Sequence, residues 1–121
     1  MVKLESLKKS NQFKQALKER KIHSDYFSIF AAKNFYKPKY KTDLLISFVM
    51  KKKIGNAVKR NKIRRKLKAI VQILLKKRGA ISNDYTYIVF GKSNAYMQKQ
   101  STLMPLMEKT FNKIKIKWLN Y

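Results

Sequence analysis

Three apolar segments of the chain are predicted to form β-strands. They are residues 26–32 (YFSIFAA), 44–50 (LLISFVM) and 85–90 (YTYIVF), and each is rich in the aromatic and aliphatic side chains that pleated sheets favour. The chain between the first two contains Pro38, which a central strand excludes because proline has no N–H to donate. We therefore expect the first two segments to pair with each other as antiparallel strands.

Apolar residues spaced three or four positions apart predict helices at both ends of the chain. A short helix is predicted over residues 11–18, with Ser10 or Asn11 as the N-cap of this part of the chain. A last helix is predicted to begin near residues 101–102, where Pro105 is tolerated in the first turn. The buried stripe of this last helix is predicted to contain Leu103, Met107, Phe111, Ile114 and Trp118.

The longest helix is predicted for about 22 residues that begin at Asn56 and end before Gly79. The Asn56 side chain can accept a hydrogen bond from the N–H group of Val58 or Lys59, and Gly55 eases the entry turn. At about 100° per residue, one stripe of this helix is apolar and must face the sheet. The stripe consists of Ile63, Leu67, Ile70, Val71 and Leu74.

The opposite side of this central helix is cationic. Arg60 falls at the boundary between the two sides, where it is expected to reach into a cleft beside the sheet. The residues of the cationic side are Asn61, Lys62, Arg64, Arg65 and Lys68.

The order of the elements is helix, two or three strands, helix, strand, helix, which predicts an α+β fold built as a two-layer α/β sandwich. With 121 residues, of which 45% are hydrophobic, the chain has the size and apolar content of one domain, expected to span residues 1–121. The absence of cysteine excludes disulfides and thiolate metal sites. Without a signal segment or a long apolar span, the cytoplasm is the expected compartment.

The charge of the chain indicates what it binds. Thirty Lys and Arg residues against six Asp and Glu give a formal net charge of +24. The cations are densest from Lys51 to Lys68, and no acid occurs between Asp43 and Asp84 to neutralise them. The expected partner is therefore a polyanion, and a nucleic acid is favoured over a membrane surface because the apolar runs are short and interior.

The start of the central helix is the best candidate for a phosphate site. Acidic residues normally occupy a helix start, because its free N–H groups carry partial positive charge. Lysines crowd this one, which is unfavourable unless an external anion binds. A merely solvated basic face is the alternative, but three of only five arginines lie within residues 60–65, where bidentate phosphate contacts would be useful.

The ionisable residues form no recognisable active site. The single histidine, His23, is expected at the surface or at a strand edge, and the six carboxylates are scattered without a spaced pair. We therefore predict no catalytic residue and no metal ligand in the protein. The residues leave open a structural RNA-binding protein of the ribosomal type, which is the main alternative, followed by a nonspecific DNA compactor and an independent protein nuclease.

Residues 52–65 (KKIGNAVKRNKIRR) resemble the signature segment of the bacterial ribonuclease P protein component. Residues 7–13 are similar to the N-terminal helix of that family, residues 84–89 (DYTYIV) resemble its last strand, and the order of elements agrees. The resemblance implies a ribosomal-protein-S5-domain-2-like fold. The chain departs from the family pattern at Lys62 and Gly91, where arginine is usual, and at Met50-Lys51, where a small residue and serine are usual.

The resemblance implies that the protein is the non-catalytic subunit of an RNA enzyme that removes 5′ leaders from precursor tRNA. The RNA and the Mg²⁺ ions it binds would carry out the hydrolysis, and no obligate protein partner is expected. A cleft between the sheet and the first helix would hold the single-stranded leader, lined by Phe13, Leu17 and Phe30. The residues expected to bind RNA are Lys51, Lys52, Lys53, Asn56, Lys59, Arg60, Asn61, Lys62, Arg64, Arg65 and Lys68.

Overall fold

Five strands and three helices make up the fold in a computed structural model, which describes residues 4–33, 44–77 and 79–119, with side chains described as far as Lys115. Single 3-10 turns at Lys52–Ile54 and Ser93–Ala95 precede the second and third helices. The predicted break at Pro38 lies outside the described residues. In chain order the elements are β1 (Leu4–Glu5), α1 (Ser10–Ala16), β2 (Arg20–His23), β3 (Phe27–Lys33), β4 (Leu44–Val49), α2 (Ala57–Leu74), β5 (Tyr85–Gly91) and α3 (Gln100–Leu119).

The strands form one mixed sheet in the order β1-β4-β5-β3-β2. β5 lies at its centre, antiparallel to β3 and parallel to β4, so that Val89 is opposite Ile29 on one side and Phe48 on the other. The predicted pairing of the segments at 26–32 and 44–50 is therefore wrong. They are β3 and β4, and both hydrogen-bond to β5, which lies between them. The chain runs from β4 through α2 to reach β5.

Two short strands at the edges of the sheet were missed by the hydrophobic pattern. β1 pairs with β4 in parallel through only two residues, and β2 pairs with β3 through four residues, of which only Ile22 is aliphatic. A tertiary contact lies beside β1, where the Leu7 N–H donates to the Ser47 hydroxyl at 2.9 Å. The turn between β2 and β3 has a local contact, in which the Ser24 hydroxyl donates to the Phe27 carbonyl.

The main core lies on the sheet face covered by α2 and α3. The predicted apolar stripe of α2 is confirmed, since all five of its residues have no exposed surface. In α3, Leu103, Met107, Phe111 and Ile114 are also buried, as predicted, whereas the side chain of Trp118 lies outside the described part. The packed layers of α2, α3 and sheet form the predicted α+β sandwich.

The helix boundaries differ from the predicted ones for physical reasons. α1 covers residues 10–16 rather than 11–18 and has Lys9 at its N-cap, because the Gln12 amide oxygen accepts from the N–H groups of Lys8 and Lys9 and no Ser or Asn cap is needed. α2 has 18 residues and ends at Leu74. After that residue the N–H groups of Lys76 and Lys77 bond to carbonyls three rather than four residues back, which closes the helix with a 3-10-type turn.

α3 begins at Gln100, one residue before the predicted start. Pro105 is the sixth residue of α3 and lies in its second turn rather than its first. The ring is exposed at this position. The helix therefore continues past a missing N–H donor, and that loss falls on its solvent-exposed side.

The other face of the sheet is only partly covered. The short α1 packs there on a second, smaller cluster formed by Leu7, Ala16 and Ile88, with Phe13 and Phe30 partly buried beside it. Residues of β3 and β5 alternate between the two faces, so Ile88 faces α1 while Tyr87 and Val89 join the main core. The uncovered part of this face continues into a groove.

Met50 and Gly91 are in contact with each other. A Cβ atom added at Gly91 would overlap the Met50 sulfur and lie 2.8 Å from Ile63 Cγ2. The large side chain at position 50 thus occupies the space that a side chain at position 91 would need.

Candidate nucleic-acid interface

The start of α2 has the predicted cap. The Asn56 Oδ1 atom accepts a hydrogen bond from the Lys59 N–H at 2.9 Å, which satisfies one of the free donors of the first turn. Gly55 enters this turn with φ of 152°, a conformation that L side chains rarely adopt, and a Cβ there would lie 2.9 Å from Lys59 Cδ. No acid occupies the first turn of α2, so its positive end is left for an external anion.

The cationic side of α2 faces solvent as predicted. Asn61, Lys62, Arg65 and Lys68 are exposed, while Arg64 is partly buried and donates from Nη1 to the Asn61 Oδ1 at 2.8 Å. That bond uses one of the five guanidinium donors and orients the rest. The side thus presents cations over about two helical turns.

Arg60 lies at the boundary between the buried and the cationic sides of α2, as predicted from its helical angle. It is partly buried, and its Nε atom is buried without a hydrogen-bond partner among the described residues. A buried donor left unpaired is unfavourable. Arg60 is not on the lining of the groove described below, so its predicted reach into a cleft stays a prediction.

Two lysines of α2 lie against the ring of Tyr96. The Lys59 and Lys62 Nζ atoms are 5.3 Å and 4.7 Å from its centroid. A third lysine, Lys66, points into the protein and donates to backbone carbonyls. Burial lowers the pKa of Lys66, and the charge of Lys62 lowers it further. Lys66 therefore has a structural role, and a count of charges along the sequence does not separate it from the lysines that face solvent.

An open groove of about 500 Å³ lies on the uncovered face of the sheet. Its floor contains three aromatic rings in a row: Phe30 and Phe90 meet edge to face with centroids 5.3 Å apart, and the His23 ring lies 6.2 Å from Phe30. His23 Nδ1 is 2.5 Å from the Ser28 hydroxyl, which orients the imidazole. The groove is lined by His23, Ser28, Phe30, Lys51, Lys53, Ile54, Phe90, Gly91, Lys92 and Ser93.

Lysines form the rim of this groove. The Lys51 Nζ lies 5.7 Å from the centroid of the Phe90 ring, and the Lys92 ammonium donates to the Ser24 carbonyl. Lys51, Lys52 and Lys53 are exposed, and because their segment leads directly into α2 they connect the groove with the cationic side of that helix. The aromatic groove, its lysines and the basic helix are therefore linked by one short segment of the chain.

The three residues predicted to line a leader cleft are placed differently from one another. Phe30 lies in the groove. Phe13 is a residue of α1 and is partly buried against the cluster that contains Ile88. Leu17 follows α1 and has 39% of its surface exposed. The structure does not place Phe13 or Leu17 on the lining of the groove, and their contact with a leader stays a prediction.

Seven of the ten groove residues were not predicted from the sequence, among them His23, Phe90 and Lys92. A pattern could have indicated Phe90, because it lies two residues after Ile88 on the same strand and therefore on the same face as Phe30. His23 is exposed on the edge strand β2, which confirms its predicted surface position. Its nearness to Phe30 depends on the register of β2 with β3, which the sequence did not reveal.

Within residues 4–33, 44–77 and 79–119, no three His, Cys, Asp or Glu side chains are grouped so that they could hold a metal ion. The described side chains therefore do not offer the carboxylate set that Mg²⁺ prefers.

None of the described helices is both long and apolar enough to cross a membrane.

Comparison with known proteins agrees with this architecture. The chain is 28% identical over 109 residues to the ribonuclease P protein components of Mycoplasma capricolum and Mycoplasma mycoides, with 90% of this chain and 94% of each relative covered. The RNase P protein structures from Staphylococcus aureus and Thermotoga maritima share the fold at 21% identity. Their TM-scores are 0.67 and 0.70, they cover 91% and 90% of this chain, and 94% and 96% of their own chains are matched. The family model described as Ribonuclease P matches residues 1–115, from the first strand to the last helix, and the chain therefore belongs to the ribonuclease P protein family.

Proposed function

We propose that this protein binds the catalytic RNA of ribonuclease P through α2 and holds the 5′ leader of precursor tRNA in the groove. The observation that carries this proposal is that Lys51 and Lys53 line the aromatic groove while their segment leads along the chain into α2. One RNA could follow the helix while a single strand enters the groove.

The cationic side of α2 suits a folded RNA. Its charges are spread along the helix with no acid among them, so they would displace the small cations condensed on the RNA phosphates and binding would depend steeply on salt. Arg65 and Lys68 are exposed at positions one turn apart and would contact phosphates directly. This face is our assignment for the catalytic RNA.

The groove suits a single-stranded leader of any sequence. Every nucleobase has a π-face that can stack on rings such as Phe30, Phe90 and His23, and such stacking contributes on the order of 1 to 3 kcal/mol per base. Lysines on the rim would meet the leader phosphates. A groove of about 500 Å³ is large enough for one or two nucleotides rather than for a duplex.

We assign the hydrolysis to the RNA partner and the Mg²⁺ ions that it binds. In this proposal the protein's own contribution is to bind and orient the two RNAs. The protein is thus a subunit of an endoribonuclease and acts by positioning.

Cleavage of a 5′-extended precursor tRNA at low millimolar Mg²⁺ tests the proposal. A bacterial ribonuclease P RNA is assayed alone, with the protein, and the protein is also assayed without RNA. We expect accurate 5′ maturation only when both are present. Binding without stimulated cleavage would instead indicate a structural RNA-binding protein, and cleavage by the protein alone would indicate a protein nuclease.

A further inference from the structure

We propose that Tyr96 is a positioning residue that holds the ammonium groups of Lys59 and Lys62 ready for RNA. The inference rests on the proposed function, because it concerns how α2 binds the RNA partner. It starts from the loop of residues 93–98, which follows β5 and lies against the first half of α2. We call this segment the Tyr96 loop.

The Tyr96 loop is attached to α2 through its backbone. The Lys66 ammonium donates hydrogen bonds to the carbonyls of Ala95, Tyr96 and Gln98 at 3.1, 2.9 and 2.5 Å. All three donors of the ammonium group are used, and bonds from a charged donor are stronger than neutral ones. Because Lys66 binds carbonyls on both sides of the ring, the position of Tyr96 relative to α2 does not depend on its own side chain.

The ring of Tyr96 lies within cation–π distance of both lysines. Its centroid is 5.3 Å from Lys59 Nζ and 4.7 Å from Lys62 Nζ, inside the range of about 6 Å over which an aromatic face attracts a cation. Lys59 Nζ also donates to the Ser93 hydroxyl at 2.9 Å, in the same loop. Two flexible side chains are thereby directed to one place.

An aromatic ring holds a lysine without cancelling its charge, and a carboxylate would not. An acid in the place of Tyr96 would pair with Lys59 and Lys62 and lower the positive potential that attracts phosphate. The ring leaves both charges available. Because free lysine side chains lose conformational entropy when they bind, ordering them in advance should tighten RNA binding with no change in total charge.

The test measures the affinity of the protein for a bacterial ribonuclease P RNA as a function of salt. Tyr96→Leu removes the ring face and is expected to weaken binding about three- to tenfold, while Tyr96→Phe, which keeps the ring, stays within about twofold of the original protein. The slope of log affinity against log salt should not change for either variant, because no cation is removed.

Double-mutant cycles separate positioning from a general disturbance of the fold. Tyr96→Leu should lose most of its effect in a Lys59→Ala/Lys62→Ala background and keep it in a Lys68→Ala background. Lys68 is the matched control, since it is exposed on the same helix and has no aromatic ring contact among the described residues. An equal loss in both backgrounds, or an equal loss with Tyr96→Phe, would overturn the proposal.

A measurement without RNA distinguishes failure of this inference from failure of the proposed function. NMR signals of the Lys59 and Lys62 ε-methylene groups should show upfield ring-current shifts that Tyr96→Leu abolishes. If the shifts are absent, the positioning role is wrong whatever the protein binds. If they are present and the original protein does not bind the RNA, the ring contact exists but the proposed function and the role assigned to it both fail.

Discussion

The two faces of the sheet differ in how completely they are covered. On the face of α2 and α3, residues such as Ile29, Ile46 and Val89 have at most 1% of their surface exposed. On the other face, Phe30 and Phe90 stay partly accessible beside a groove, because α1 has only seven residues. The covered face therefore supplies most of the buried apolar area, and the aromatic rings of the other face can stay accessible to a ligand.

The largest expected effect is on the covered face. Leu67→Ala should lower the free energy of unfolding by about 2–5 kcal/mol, because it leaves a cavity among fully buried neighbours. Denaturant titration measures this change. Phe30→Ala is the matched substitution on the open face and should cost clearly less, since the ring is only partly buried. Equal losses would show that the two faces contribute alike to stability.

The next effect concerns the contact between Gly91 and Met50. Gly91→Ala is expected to destabilise the protein by about 1–3 kcal/mol, because the added methyl group overlaps the Met50 side chain. In a Met50→Ala background the same substitution should cost less, and the remaining cost comes from Ile63 Cγ2, which lies 2.8 Å from the added atom. Thermal unfolding of the four proteins in this cycle measures the compensation, and additive losses would contradict it.

A comparable effect on binding is expected on the open face. Phe90→Ala should weaken binding of a precursor tRNA with a leader by about 1–3 kcal/mol and leave binding of mature tRNA unchanged, because only the leader reaches the groove. Binding is measured with the assembled ribonucleoprotein. The same selective loss is predicted for Phe13→Ala, and an equal loss on both tRNAs would return Phe13 to the cluster under α1.

The smallest effects are expected for single cations of α2. Arg65→Ala and Lys68→Ala should each weaken binding to the catalytic RNA and reduce the salt slope by about one unit, as one phosphate contact is lost. Lys109→Ala, an exposed lysine of α3, removes the same charge near the other end of α2 and should leave the slope almost unchanged. Identical slopes for all three variants would exclude a defined RNA face on α2.

The residues of α2 could be assigned from the sequence because helical geometry is local. The buried stripe and the exposed positions of Arg65 and Lys68 follow from a rotation of about 100° per residue, and the Asn56 cap follows from the preference of Asn for the N-cap. The strand order could not be assigned in this way. β3 and β4 are neighbours along the chain, but β5 pairs with both of them, and that choice depends on contacts between distant segments.

The groove shows the same division. The sequence alone determined the charge, the acid-free basic helix, the three main strands and the family resemblance, because composition and short-range periodicity express them directly. Only the tertiary structure brought His23, Phe30 and Phe90 into one row and placed Tyr96 against two lysines of α2. Those contacts join residues from different strands, helices and loops, and their distances depend on sheet register and helix packing rather than on any local pattern.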